Sequence, residues 1–392
     1  MASLLRRDRL FWVAVLVVAC FVAVLLLPSQ SRASYPSYFL AILMLATVVS
    51  WRDVFRLPAV WLVIGLLGWM ALSTLWSEDW SLRDAISVWV RCLLVFLFVI
   101  AVAECLLRGQ LQRWMTHALM LVGVAAVSAA IIVFYATNPA DGRLNGLGQL
   151  DTHVIAALVY GVVLLFVLRF CVETAHRWQQ IAGACVALLV CVAVFLSDSR
   201  NAWVSLLVGA TVFCLAHGTR DVRRFVTLIS VVAVALLLAM VGILNTELGR
   251  ELLLPRGDSF RIEIWSQFIQ KLQSNWWFGH GILTNDDLVV DSIVFHHPHS
   301  MYLSVVFQAG LIALIMYLAV IAWTLVTLVR NYSSADAKLA LSILALALSA
   351  HLLDGHELVD KVGSSWFLIW LPVAIAIGLR WSEPDFAEAD DD

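Results

Sequence analysis

Along this chain, runs of about twenty apolar residues alternate with short polar breaks. Read by length and hydropathy they predict twelve helices, at 10–27, 38–50, 58–76, 86–107, 115–135, 152–171, 180–196, 202–217, 225–244, 311–329, 337–353 and 365–380. At 1.5 Å rise per residue, a run of about twenty covers roughly 30 Å of hydrocarbon. The runs are continuous, whereas a membrane β-barrel needs short segments that alternate between apolar and polar. The expected class is therefore an all-α polytopic membrane protein with about twelve transmembrane helices.

Composition agrees with this class. Apolar residues make up 62% of the 392, charged residues 14%, and mean hydropathy is +0.91; a soluble domain is about half apolar and a quarter charged. The net charge of −3 matters less than where the charges lie. With the N-terminus inside, fifteen basic residues fall in the inner short loops, from Arg6, Arg7 and Arg9 to Arg380. Only five, Arg32, Arg83, Arg143, Arg200 and Lys361, fall outside. That bias puts both termini in the cytoplasm. Residues 1–27 resemble a signal peptide, but the run from Leu10 to Leu27 is long for one and more spans follow, so an uncleaved first helix is expected. No internal repeat of the kind that marks many secondary transporters is visible. The seven cysteines lie in or beside apolar runs, an odd number that suits neither a disulfide framework nor a metal site.

One long polar excursion interrupts the pattern, on the outer side, from Asn245 to Gly310. The chain so divides into nine spans (1–244), this loop (245–310), three further spans (311–380) and an acidic tail (381–392). Within the loop, Arg261, Trp265, Phe268, Ile269, Leu272 and Trp276 follow a helical period over 258–276. Such a helix suits a membrane interface or a lid, or else simply packs over the bundle.

Three residues stand out as candidates for chemistry. Arg200 opens the eighth span, with Asp198 or Ser199 placed to cap it; Arg261 falls in the first turn of the loop helix, after a candidate cap at Asp258. Pro298 suits the first position of a helix, which puts His299 in its first turn. A cation in a first turn opposes the helix dipole, a cost that an anionic ligand would offset. Exposed N–H groups with a guanidinium fork suit phosphate, although each arginine could instead pair with its neighbouring aspartate. A neutral imidazole can take a proton from a hydroxyl. His296 and His297 are expected to be surface residues without a role, and no ligand set for zinc joins them. No D-x-D occurs outside the acidic tail, so a diphosphate would be neutralised by arginines and helix ends. Weaker candidates are Arg143 in a glycine-containing outer loop, Arg91 inside the fourth span, and Asp354, placed to orient His299 or an arginine or else to cap a helix.

The segments "SRNAW" (199–203), "FRIEIWSQFIQ" with "WWFGHG" (260–281), "PHSMYLSVVFQAGL" (298–311) and "DGHELVDKVGSSWFLIWLP" (354–372) resemble those of the O-antigen ligase and polymerase superfamily. The resemblance covers most of the C-terminal half. It implies a GT-C-like membrane enzyme that transfers O-antigen from undecaprenyl diphosphate to lipid A–core, inverting the anomeric carbon. It also implies a periplasmic site in the bacterial inner membrane. Arg200 and Arg261 would bind the diphosphate and His299 would activate the acceptor hydroxyl. The implied partners are the carrier-linked glycan, lipid A–core and membrane lipid, with no nucleic acid, cofactor or metal. Trp277 stands where relatives commonly carry proline, which bears on the local geometry of the loop. An O-antigen polymerase or a protein O-oligosaccharyltransferase of the same superfamily is the alternative. From another class, a polysaccharide flippase would also have about twelve spans.

Overall fold

The computed structural model describes residues 2–27, 30–47, 51–106, 109–218, 260–290, 292–355 and 357–382. The expected ninth span, the loop up to residue 259 with the candidate cap Asp258, and most of the acidic tail lie outside the described residues. The principal helices are α1 (Ala2–Leu26), α2 (Tyr35–Thr47), α3 (Pro58–Leu72), α4 (Leu82–Leu106), α5 (Gly109–Thr137), α6 (His153–Glu173), α7 (Arg177–Leu196), α8 (Arg200–His217), α9 (Arg261–Leu272), α10 (Met301–Arg330), α11 (Ala335–Ala350) and α12 (Leu371–Trp381). A two-stranded hairpin, β1 (Leu288–Val290) and β2 (Ile293–Phe295), pairs Leu288 with Phe295.

Among the described residues, seven helices are long and apolar enough to cross a membrane: those beginning at Arg9, Pro58, Leu82, Arg113, His153, Arg177 and Met301. Helices α2, α8, α11 and α12 stand where further spans were expected but are shorter or less apolar; α2 has 13 residues and α11 has 16. At 1.5 Å per residue a helix of that size falls short of roughly 30 Å.

Close packing sets the bundle. Helix α8 lies along α11 and α6, α12 along α4, and α1 against α2, α4 and α5. At Gly209 of α8, an added Cβ would come within 2.8 Å of the Leu346 side chain and 3.0 Å of the Ser342 carbonyl. Absence of a side chain there lets the two backbones approach, as small residues do between membrane helices. At the end away from the site described below, buried ion pairs join Arg9 to Glu104 and Arg169 to Asp336.

Helix α10 is broken near its start. Ala309 and Gly310 leave helical geometry, with Gly310 at φ +77°, so a short segment from Met301 precedes the long straight span. The span expected from residue 311 begins where this break ends. The freed backbone groups are used by the loop before it. Leu311 N–H donates to the Trp276 carbonyl (2.8 Å), His280 N–H to Phe307 (2.7 Å), and the Trp69 indole to Ala309 (2.8 Å). Helix α9 docks through Ile264, Phe268 and Leu272 onto the hairpin and onto Val306 and Phe307 of the short segment. The loop helix is thus amphipathic, but narrower than the expected 258–276. Ile264 is on its buried face, while Ile269 is 41% exposed.

Candidate functional site

Arg200, Arg261 and His299 each sit just before or just inside a helix start, at one end of the bundle. Helix α8 is capped by Ser199, whose hydroxyl accepts from the Ala202 N–H at 3.3 Å. Asp198 takes a left-handed backbone (φ +50°) and turns instead toward Arg143, at 3.6 Å. Arg200 is the first helical residue and is exposed. Arg261 likewise opens α9, directly after Phe260 at φ +58° and without a side-chain cap. Its Nε is buried and has no hydrogen-bond partner among the described residues. A guanidinium N–H left in that condition favours an anion that completes it.

His299 departs from expectation. Pro298 does not start the helix and His299 is not in its first turn: α10 begins at Met301, after Ser300 in extended backbone, and His299 lies before both at φ +50°. Tertiary bonds hold this turn in place of a helical turn. The Trp265 indole donates to the Pro298 carbonyl (2.9 Å), the Met301 N–H to His351 (3.1 Å), and the His299 N–H to His297 Nδ1 (3.3 Å). The result aims the imidazole at the last loop, where Nδ1 stands 3.6 Å from Asp354 Oδ1. Burial raises the Asp354 carboxyl, but hydrogen bonding from His299, the Gly355 N–H and the His299 and His297 charges together hold it below the ordinary carboxylate range.

Two cavities adjoin here. One of about 360 Å³ is lined by Arg143, Arg200 and Arg261, with Asp198, Asn201 and His153. The other, of about 500 Å³, is lined by His299, Asp354, His297 and His351. Arg261, His153 and Val154 belong to both walls. The three expected residues therefore share one composite site, with Arg261 at the seam and Arg200 and His299 on either side of it. Arg143 joins the arginine side, its Nη1 3.4 Å from His153 Nε2. Arg91 does not. It lines a separate cavity of about 250 Å³ with Arg83 and Lys361, and its charge acts on Asp360 from behind.

Several residues here had no assigned role in the sequence reading. His297, expected to be an idle surface residue, packs against His299 with ring centroids 4.1 Å apart. His153, His351, Glu357 and Asp360 also line the site. None of these was singled out in the sequence, where the spacing of Glu357 and Asp360 is the one signal that could have pointed to them. Burial and the neighbouring Glu357 raise the Asp360 carboxyl well above its ordinary value.

Residues 185–318, which contain Arg200, Arg261 and His299, match the family model described as O-antigen ligase. This stretch is similar to O-antigen ligases. The chain is also 29% identical over 303 residues to the O-antigen ligase of Pseudomonas aeruginosa, covering 75% of this chain and 70% of that protein. The matched stretch thus supplies the arginines and the imidazole, whereas Asp354, Glu357 and Asp360 come from beyond its end. Similarity to O-antigen ligases implies a glycosyl-transferring enzyme in general.

Proposed function

We propose that this chain is an O-antigen ligase, which transfers polysaccharide from undecaprenyl diphosphate to lipid A–core at the periplasmic face of the bacterial inner membrane. The observation that carries this reading is the shared wall: Arg200 and Arg261 line one cavity, and Arg261 continues into the next beside His299 and Asp354. The diphosphate occupies the arginine side, with its carrier chain leaving sideways between helices. The acceptor hydroxyl stands at His299, across the seam. Its oxygen attacks the anomeric carbon from the face opposite the diphosphate, His299 takes its proton, and the bond to the diphosphate oxygen breaks, inverting that carbon. Charge grows on the departing diphosphate where the guanidiniums already stand, so no reorganisation is needed in the transition state. The basic bias of the inner loops supports cytoplasmic termini and an outer site.

The test is transfer by the purified chain from carrier-linked glycan to lipid A–core, with and without a chelator. Glycan-capped lipid A–core is expected in both arms and is lost in His299→Ala. Wild-type transfer that stops in chelator, or a His299→Ala protein that transfers normally, would refute the mechanism. Growth of the glycan on its own carrier would identify a polymerase instead.

A further inference from the structure

The larger cavity differs in chemistry from the one it adjoins. Among the described residues Arg261 is its single arginine, set against the carboxyl groups of Asp151, Asp354, Glu357 and Asp360. A phosphorylated group entering here meets like charge. A neutral polyol meets strong acceptors, because hydrogen bonds to ionised carboxylates are shorter and stronger than neutral ones. The Glu357–Asp360 pair, hydrogen-bonded and with Asp360 shifted toward its neutral form, also supplies a donor.

A second observation points to a ligand. Two side chains in this wall are more than nine-tenths buried and carry polar atoms with no partner among the described residues: His351 Nδ1 (3% exposed) and Ser365 Oγ (4% exposed). Buried polar atoms are nearly always satisfied, and leaving one unmade is costly. Both orphans lie in the same cavity wall, next to the acidic pair.

We infer that this cavity seats the acceptor saccharide, binding its hydroxyls through Ser365, His351 and the Glu357–Asp360 pair, and that it selects a neutral sugar over a phosphorylated one. The inference rests on the ligase reading for its link to transfer. A hydroxyl that projects from a sugar held here toward His299 faces the arginine cavity across Arg261, as attack on the donor requires.

Two variants of the full-length chain, Ser365→Ala and Glu357→Gln, test it. In the transfer assay each should raise the acceptor KM about tenfold, the loss of one hydrogen bond, with donor KM unchanged. Glu357→Gln should also weaken the preference for an unphosphorylated acceptor. An unchanged acceptor KM, or an equal rise in donor KM, overturns the assignment. Saturation-transfer NMR with a deacylated, unphosphorylated, hexose-terminated core oligosaccharide reads binding without chemistry. Binding to the detergent-solubilised wild-type chain, lost in Ser365→Ala, upholds the saccharide site even where no transfer occurs, which would leave only the ligase reading refuted. Absence of binding, or equal binding of the phosphorylated oligosaccharide, overturns the inference. Ser365→Ala removes a single oxygen, so it decides the matter if Glu357→Gln fails to fold.

Discussion

The imidazole of His299 and the carboxylate of Asp354 face each other at 3.6 Å, across a gap between the start of α10 and the loop after α11. That distance is long for a hydrogen bond, as catalytic pairs often are before substrate closes the site. An Nδ1–H directed at Asp354 leaves the Nε2 lone pair free to accept the proton of an attacking hydroxyl. Asp354 can serve this role at neutral pH because its neighbours keep it ionised.

Replacing Asp354 by Asn should therefore lower kcat, by less than the ~10²–10⁴-fold that general-base catalysis supplies, and leave donor KM unchanged. It should also alter acid stability in a fixed direction. A carboxyl whose folded value is lowered contributes stability above the unfolded carboxylate range and loses it as pH falls through the folded value. Thermal unfolding followed from neutral to acid pH should show a shallower decline in Asp354→Asn than in the wild type. An identical decline would separate Asp354 from this linkage.

Arg200 and Arg261 should fail in different ways. Removal of either positive charge should cost on the order of 10²–10³ in kcat, as loss of a preorganised oxyanion partner does elsewhere. Arg200 lines only the arginine cavity, so Arg200→Gln should raise donor KM alone. Arg261 lies in both walls, so Arg261→Gln should raise donor and acceptor KM together. Lysine should rescue neither fully, since it lacks the planar fork that meets a diphosphate oxygen pair. Steady-state kinetics with each substrate varied separately checks the split.

Seven of the twelve expected spans appear among the described residues as helices long and apolar enough to cross a membrane, because burial in lipid demands an unbroken apolar run. The start of the straight part of α10 at residue 311 was legible for that reason. The sequence also revealed which arginines begin helices, since a helix start has a local signature. The geometry of His299 was not legible. Its positive φ is imposed by Trp265 and His351, which lie 34 residues before it and 52 after it in the chain. A Pro-His pair before an apolar run otherwise reads as a first turn. The buried face of α9 was legible at Trp265, Phe268 and Leu272 but not at one position, for a related reason: Ile264 rather than Ile269 meets the hairpin and Phe307, and those partners are set by the tertiary fold. The acidic wall stayed hidden because Glu357 and Asp360 gain significance only beside His351 and Ser365.

Gly310 should tolerate no side chain. At φ +77° an added Cβ would lie 1.9 Å from the Trp277 carbonyl oxygen, which is backbone and cannot swing away. Gly310→Ala would therefore push the loop at 275–281 out of the break in α10 and loosen the platform on which α9 rests. Backbone strain of this kind costs about 1–3 kcal/mol before the clash is counted. The expected outcome is a lower melting temperature in detergent and faster proteolysis within 273–281, with transfer falling because Arg261 shifts with α9.

The last prediction concerns the far end of the bundle, where function and stability can be separated. Arg169 near the end of α6 is buried between Asp336, at the start of α11, and Glu173, whose carboxylate lies 2.8 Å away. Breaking a buried pair by removing one partner costs about 3–5 kcal/mol, mostly from the charge left behind. In Asp336→Ala the guanidinium keeps Glu173, a half-exposed partner, so the loss should fall near the lower figure. Removing Glu173 alone should cost less still, because that carboxylate is 42% exposed and partly screened by solvent. Replacing Arg169 and Asp336 together by leucine should restore most of the lost stability, because the one charge left without its partner, Glu173, is half exposed and solvated. All these variants should keep the wild-type donor and acceptor KM in the folded fraction, since none of the three residues lines the cavities at the other end. Thermal unfolding combined with transfer kinetics would expose any coupling between the two ends as a change in KM.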